Sequence, residues 1–135
     1  MNDKVFLDTN IVVYAHTDLD SSKQSKAQLI MKGQSTIIST QVLQETANIL
    51  NKKLKQSWLD IGKVLNELTN NTNVHINNET TVIKACDIAN QYKFSYYDSL
   101  IISAAIESEA GILYSEDMQH NQLIEDKLRI VNPFI

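Results

Sequence analysis

Four short apolar runs punctuate this chain: "VFL" at 5–7, "STIIS" at 35–39, "VHI" at 74–76 and "GILYS" at 111–115. Between them, apolar residues recur at helical spacing. Repeated switching between the two periods marks alternating strands and helices, and it constrains the fold more than any other feature. Strands are expected at 4–8, 35–39, 74–76 and 111–115, with a last, peripheral one at "LRIVN" (128–132). Residues 10–16 read as a short helix or turn, and 21–33 as a helix ended by Gly33. Ser39 or Thr40 caps a helix to about Leu54. Ser57 opens another, with Asp60 completing a capping box, which fades into "TNNTN" at 69–73. Helices at 79–92 and 96–109 follow, the second capped by Ser95 and closed by Gly111. The order β-α-α-β-α-α-β-α-α-β-β implies a three-layer α/β/α fold around a mainly parallel sheet.

The 135 residues suffice for one domain, 1–135, with a real core. Three glycines and one proline leave no linker or repeat in view. No segment approaches the roughly 18 uninterrupted apolar residues of a membrane span, and no N-terminal stretch has a signal-peptide pattern. A cytoplasmic location is therefore expected. The one cysteine, Cys86, has no partner for an internal disulfide, and with Val82, Ala85 and Ala89 at helical spacing it reads as a buried, inert thiol. The net charge of −4 argues mildly against a nucleic-acid binder with a basic footprint. Carboxylates gathered around metal ions would lower the net charge while the ions met the phosphates, so charge alone decides nothing.

In open parallel sheets ligands bind beyond the carboxyl ends of the strands, which directs attention to the acids there. Asp8 ends the first strand and Asp117 follows "GILYS". Two inner strands would place both on one sheet edge, although each taken singly reads equally well as a cap or loop residue. Asp98 completes a capping box with Ser95. It also shares a helix face with Ile101, Ile102 and Ala105, where an unpaired carboxylate costs on the order of several kcal/mol. No lysine or arginine stands at helical spacing to meet it. Glu45 points away from the stripe Leu43, Ala47, Leu50 and Leu54, so periodicity makes it a solvated acid, although its helix follows the strand 35–39 and its first turns also lie near the carboxyl edge. Acids on one edge without a Cys or His ligand set favour Mg²⁺ or Mn²⁺ over zinc. That suits metal-assisted phosphoryl transfer.

The segments "FLDTN" (6–10), "VLQE" (42–45), "YYDSLI" (96–101) and "LYSEDMQH" (113–120) resemble, in this order and spacing, the PIN-domain ribonucleases. Within that family they are most similar to the VapC-type toxins of bacterial toxin–antitoxin pairs, over nearly the whole chain. The resemblance implies a PIN fold and a Mg²⁺-dependent endoribonuclease, with Mn²⁺ a possible substitute. It implies that Asp8, Glu45, Asp98 and Asp117 form the acidic quartet. Asp8 and Asp98 would be the principal metal ligands, Asp117 a further one or acting through water, and Glu45 the group that orients or deprotonates the attacking water. Thr9, Asn10 and Ser115 match the polar positions that support these carboxylates. It further implies an RNA substrate, a homodimer, and a cognate antitoxin that blocks the acidic groove with a basic side chain. One departure is Asn121, where the family often has glycine; Asn tolerates positive φ, so the turn is expected to survive.

The remaining features stay open at this level. "NKKLK" (51–55) suits a helix C-terminus and also an RNA backbone. His120 is a loop histidine or a substrate contact, and His16 and His75 read as structural. Trp58, Tyr96 and Tyr97 pack in a core or interface, or stack bases. A haloacid-dehalogenase-type phosphatase would want a second Asp two residues after Asp8, where this chain has Asn10. A catalytically silent PIN-like module that binds RNA or protein is the non-enzymatic alternative.

Overall fold

In the computed structural model, which describes residues 3–33 and 35–135, the elements run in the expected order with one addition. They are β1 (Lys4–Leu7), α1 (Thr9–Ala15), α2 (Ser21–Gly33), β2 (Ser35–Ser39), α3 (Thr40–Lys52) and α4 (Trp58–Asn71). Then come β3 (Asn73–His75), α5 (Glu79–Tyr92), α6 (Tyr96–Glu107), β4 (Ile112–Tyr114), β5 (Leu123–Ile124) and β6 (Leu128–Val131). The fold class is α/β, with a six-stranded sheet of order β3-β2-β1-β4-β6-β5. All pairings are parallel except that of β5 with β6.

This strand order dictates the layers. From β1 the chain steps outward to β2 and then β3, so right-handed crossovers place α1 to α4 on one face. From β3 it returns past β1 to β4, so α5 and α6 cover the other face, where they pack on each other. The direction of winding reverses between β1 and β4, whose register pairs Leu7 with Tyr114. A crevice opens at such a reversal, at the carboxyl ends of the two strands. The core lies on both sides of these central strands. Phe6, Leu7, Ile38 and Leu113 are fully buried in the sheet, and Ile11, Ile101 and Ile102 pack against them from the helices.

Several local expectations change. β6 is not peripheral: it pairs with β4 and is covered by β5, a two-residue strand too short to show any periodicity. Glu109 at φ 61, not Gly111, takes the left-handed position after α6. Ser57 accepts from the Asp60 N–H, but the reciprocal capping box is formed by Asn78 and Thr81 at α5. Cys86 is exposed, because the buried stripe of α5 is Thr81, Ala85 and Ile88, and Cys86 falls with Val82 and Ile83 on the outer side. Trp58 and Tyr97 are likewise exposed instead of packed in the core. Asn121 does adopt positive φ, at 70°.

Lys93 follows α5 at φ 65 and ψ 27, a left-handed conformation that glycine adopts without the steric cost a Cβ brings. Its side chain is exposed. Lys93→Gly is expected to raise stability by about 0.5–1 kcal/mol, measured as a higher urea midpoint with an unchanged slope.

Candidate functional site

β1 ends at Leu7, and Asp8 is the next residue, serving as N-cap of α1. Its backbone N–H continues the ladder to the Tyr114 carbonyl at 3.0 Å, which pins the residue over the β1–β4 crevice. Both carboxylate oxygens are taken: Oδ1 accepts the Thr9 N–H at 2.7 Å and Oδ2 accepts the Ser115 hydroxyl at 2.8 Å. Capping and site membership are thus not rival accounts of Asp8, since one oxygen caps the helix while the other faces the residue after β4.

The other acids arrive from different elements. Glu45, one turn into α3, accepts from the Thr9 hydroxyl through Oε1 and from Gln41 Nε2 at 3.1 Å through Oε2. Gln41 also donates to the Tyr97 carbonyl at 3.1 Å, tying α3 to the start of α6. Asp98 lies in the first turn of α6, its N–H bonded to the Ser95 hydroxyl at 3.2 Å. Asp117 is held by Asn10, whose Nδ2 donates to Oδ2 at 3.0 Å, and its N–H donates to Ser115 Oγ at 3.3 Å. Asn10 Oδ1 in turn accepts the Glu116 N–H at 3.3 Å. Asp8, Glu45, Asp98 and Asp117 line one cleft of about 430 Å³, together with Thr9 and Asn10.

Periodicity alone misplaces Glu45. α3 buries Gln41, Val42, Thr46 and Leu50, and Glu45 is half-buried at the edge of that face. The cleft opens there, so an acid off the apolar stripe still meets the crevice. Gln41 escapes sequence reading, although its i−4 spacing to Glu45 is the signal that pairs them. For Asp98 the apolar-face argument weakens, because α6 is buried all round from Ser99 to Ala105, and the acid stands half-exposed at the rim. His16, His75 and His120 lie outside the cleft lining. His75 Nε2 contacts Glu107 at 3.0 Å, and His120 Nδ1 accepts the Asn132 N–H at 2.9 Å.

The electrostatics follow from this geometry. Burial pushes the Asp8 carboxyl up to about 6; the Ser115 and Thr9 donors oppose the shift, and the charges of Glu45 and Asp98 add to it. Asp98 is raised as well, chiefly by desolvation and further by Asp117 and Glu45, against a lowering contribution from Ser95. Among the described residues no lysine, arginine or histidine stands within ion-pair distance of any of the four. No three acidic, His or Cys side chains among the described residues converge tightly enough, as they stand, to enclose one ion. The donor set is therefore oxygen-only, negatively charged and open. It fits a cation that is held by one or two carboxylates and keeps most of its water, as Mg²⁺ does.

Comparison with known proteins agrees with the fold. The PIN domain family model matches residues 5–124. A toxin–antitoxin complex from Klebsiella pneumoniae contains a chain similar at TM-score 0.72 and 15% identity, covering 96% of this chain and 97% of that one. VapBC2 from Rickettsia felis, bound to a DNA fragment from its promoter, gives TM-score 0.69 and 20% identity over 96% and 99%. VapC20 of Mycobacterium tuberculosis, a sarcin–ricin loop cleaving toxin, gives TM-score 0.68 and 15% identity over 81% and 86%. No curated protein sequence matches the chain.

The raised Asp8 value makes a prediction for the metal-free protein. Folded protein holds this proton more tightly than the unfolded chain does, so the contribution to stability is full below about pH 3.8 and is lost as pH rises through about 6. The ionised carboxylate then costs about 3 kcal/mol. Asp8→Asn is expected to be the more stable protein at pH 7.5 in EDTA, with the gap closing at pH 4, as read by thermal denaturation.

Proposed function

The chain belongs to the PIN domain family, and on that premise we propose that it is a divalent-metal-dependent endoribonuclease and the toxin of a toxin–antitoxin pair. The observation that carries the reading is the set of four carboxylates around one cleft with no lysine, arginine or histidine among the described residues within ion-pair distance of them. Asp8 and Asp98 would hold Mg²⁺, or Mn²⁺ in its place, with Asp117 reaching the ion directly or through water. When bound, such an ion supplies Lewis-acid stabilisation of phosphodiester oxygens and lowers the pKa of water.

The chain's own groups divide the remaining work. Thr9 N–H and Ser115 Oγ–H fix both oxygens of Asp8, so its orientation precedes ligand binding. Asn10 does the same for Asp117. Glu45, steadied by Thr9 and Gln41, orients the attacking water and takes its proton. Water oxygen bonds to phosphorus as the bond to the 3′ oxygen breaks, leaving 3′-hydroxyl and 5′-phosphate ends.

Support for the toxin role comes from the neighbouring structures, which include a toxin–antitoxin complex and a sarcin–ricin loop cleaving toxin. A cognate antitoxin would offer this acidic cleft a basic side chain. A homodimer and a cytoplasmic location belong to the same proposal. Among the described residues no helix is long and apolar enough to cross a membrane.

Purified protein and single-stranded RNA test the activity. Cleavage is expected with Mg²⁺ and not with EDTA, and Asp8→Asn or Asp98→Asn should lower the rate by about a hundred-fold or more. RNA binding without cleavage in any divalent ion would make the chain a silent PIN-like module instead.

A further inference from the structure

The cleft has two unlike ends. The four acids occupy one, and α3 leads away from it, presenting Asn48, Ile49 and Lys53 to the same space. Glu45 and Lys53 are eight residues apart, about 12 Å along the helix axis. Asn48 and Lys53 are exposed, and neither side chain has a hydrogen-bond or ion-pair partner among the described residues. Lys23 and Lys84, by contrast, are held by Glu116 and Glu125. The helix dipole accounts for a lysine at the end of α3, but it does so equally for Lys52, which does not line the cleft. From α1 and the segment after it, Val13, Tyr14 and Leu19 line the same space, and Leu19 is 46% exposed.

We infer that this α3 wall is a nucleotide subsite beside the scissile position, where Lys53 takes a neighbouring phosphate and Asn48 a base edge. The inference takes its ligand from the ribonuclease reading above. A nucleotide combines an anion, an apolar ring face and polar ring edges. The wall supplies a counterpart to each: an ammonium, the Ile49 and Leu19 side chains, and an amide with both donor and acceptor. Two helical turns separate Lys53 from Glu45, so its phosphate is one flanking the cleaved bond and not the reacting one. The lysine therefore acts on binding, and Asn48 on which base is accepted.

Fluorescence anisotropy with a labelled single-stranded oligoribonucleotide and Mg²⁺, in an Asp98→Asn background, tests this without turnover. Lys53→Gln should raise Kd by about 3- to 10-fold and make the log–log salt dependence shallower by about 0.7. Lys53→Arg should restore both, and Lys52→Gln, which removes the same charge outside the cleft, should shift Kd less than about two-fold. In the active protein Lys53→Gln should raise KM with kcat little changed, and Asn48→Ala should flatten the preference among oligonucleotides that differ in one base. Equal effects of Lys52→Gln and Lys53→Gln, or no effect of Lys53→Gln, would overturn the subsite. If wild type cleaves RNA while Lys53→Gln changes neither Kd nor KM, the subsite falls and the ribonuclease reading stands. If wild type cleaves nothing, that reading falls, and anisotropy still decides the subsite.

Discussion

A carboxylate that is only 6% exposed, with two donated hydrogen bonds and, among the described residues, no cation within ion-pair distance, is the constraint on which this structure turns. Holding Asp8 there requires three elements in fixed register. β1 must end one residue earlier, α1 must present its first N–H, and Ser115 must follow β4 on the adjacent strand. Ser115 is itself placed by a hydrogen bond from its N–H to the Val131 carbonyl at 3.0 Å, so the outer strand β6 also sets where its hydroxyl points. Donors on both oxygens lessen the cost of burying the charge without removing it, as the raised Asp8 value shows. The desolvation cost is local, and the packing of the surrounding sheet is what offsets it.

The order of elements was legible because each is short, strongly patterned and bounded by caps: Ser39, Ser57 and Ser95 each accept from the N–H three residues on. The pattern fails where local signals are shared or too weak. β5 has two residues, fewer than a period of alternation needs. Cys86 and Ala85 are neighbours in one apolar stretch, and only the docking direction of α5 on α6 decides which is buried. Glu45 shows the same limit at the site. Its spacing marks it as off the stripe, and whether that direction is solvent or crevice depends on where the β1–β4 opening falls. Asp8 and Asp117 were more accessible, because the parallel-sheet rule alone brings them to one edge. Gln41 and Asn48 become visible only when α3 is seen running along the cleft, and of the three lysines in "NKKLK" the same view singles out Lys53.

The sorting of acids within the fold carries a further point. Glu116 and Asp117 are consecutive, yet their surroundings differ. Glu116 is bound by Lys23 and by the Tyr14 hydroxyl at 2.7 Å, and these partners hold its carboxyl below the ordinary range despite some burial. Lys23 also stands 5.0 Å from the Tyr14 ring centre, and Tyr14 packs edge-on against Phe134, so this acid belongs to a structural cluster that fastens the C-terminal segment. Glu125 likewise has Lys84 at 3.4 Å, and Glu107 accepts from the Thr81 hydroxyl and meets His75 Nε2 at 3.0 Å. Among the described residues, the four cleft acids have only hydroxyls and amides within hydrogen-bond or ion-pair distance. A chain that partners its structural carboxylates and leaves these four without an adjacent cation concentrates negative charge at one end of the cleft, with Lys53 about 12 Å away along α3. Because desolvation raises Asp8 and Asp98 and neighbouring carboxylates raise them further, any cation entering relieves several destabilising interactions at once. On the proposed reading, binding and stability would be linked through the same side chains, with the ion-free protein the less stable form.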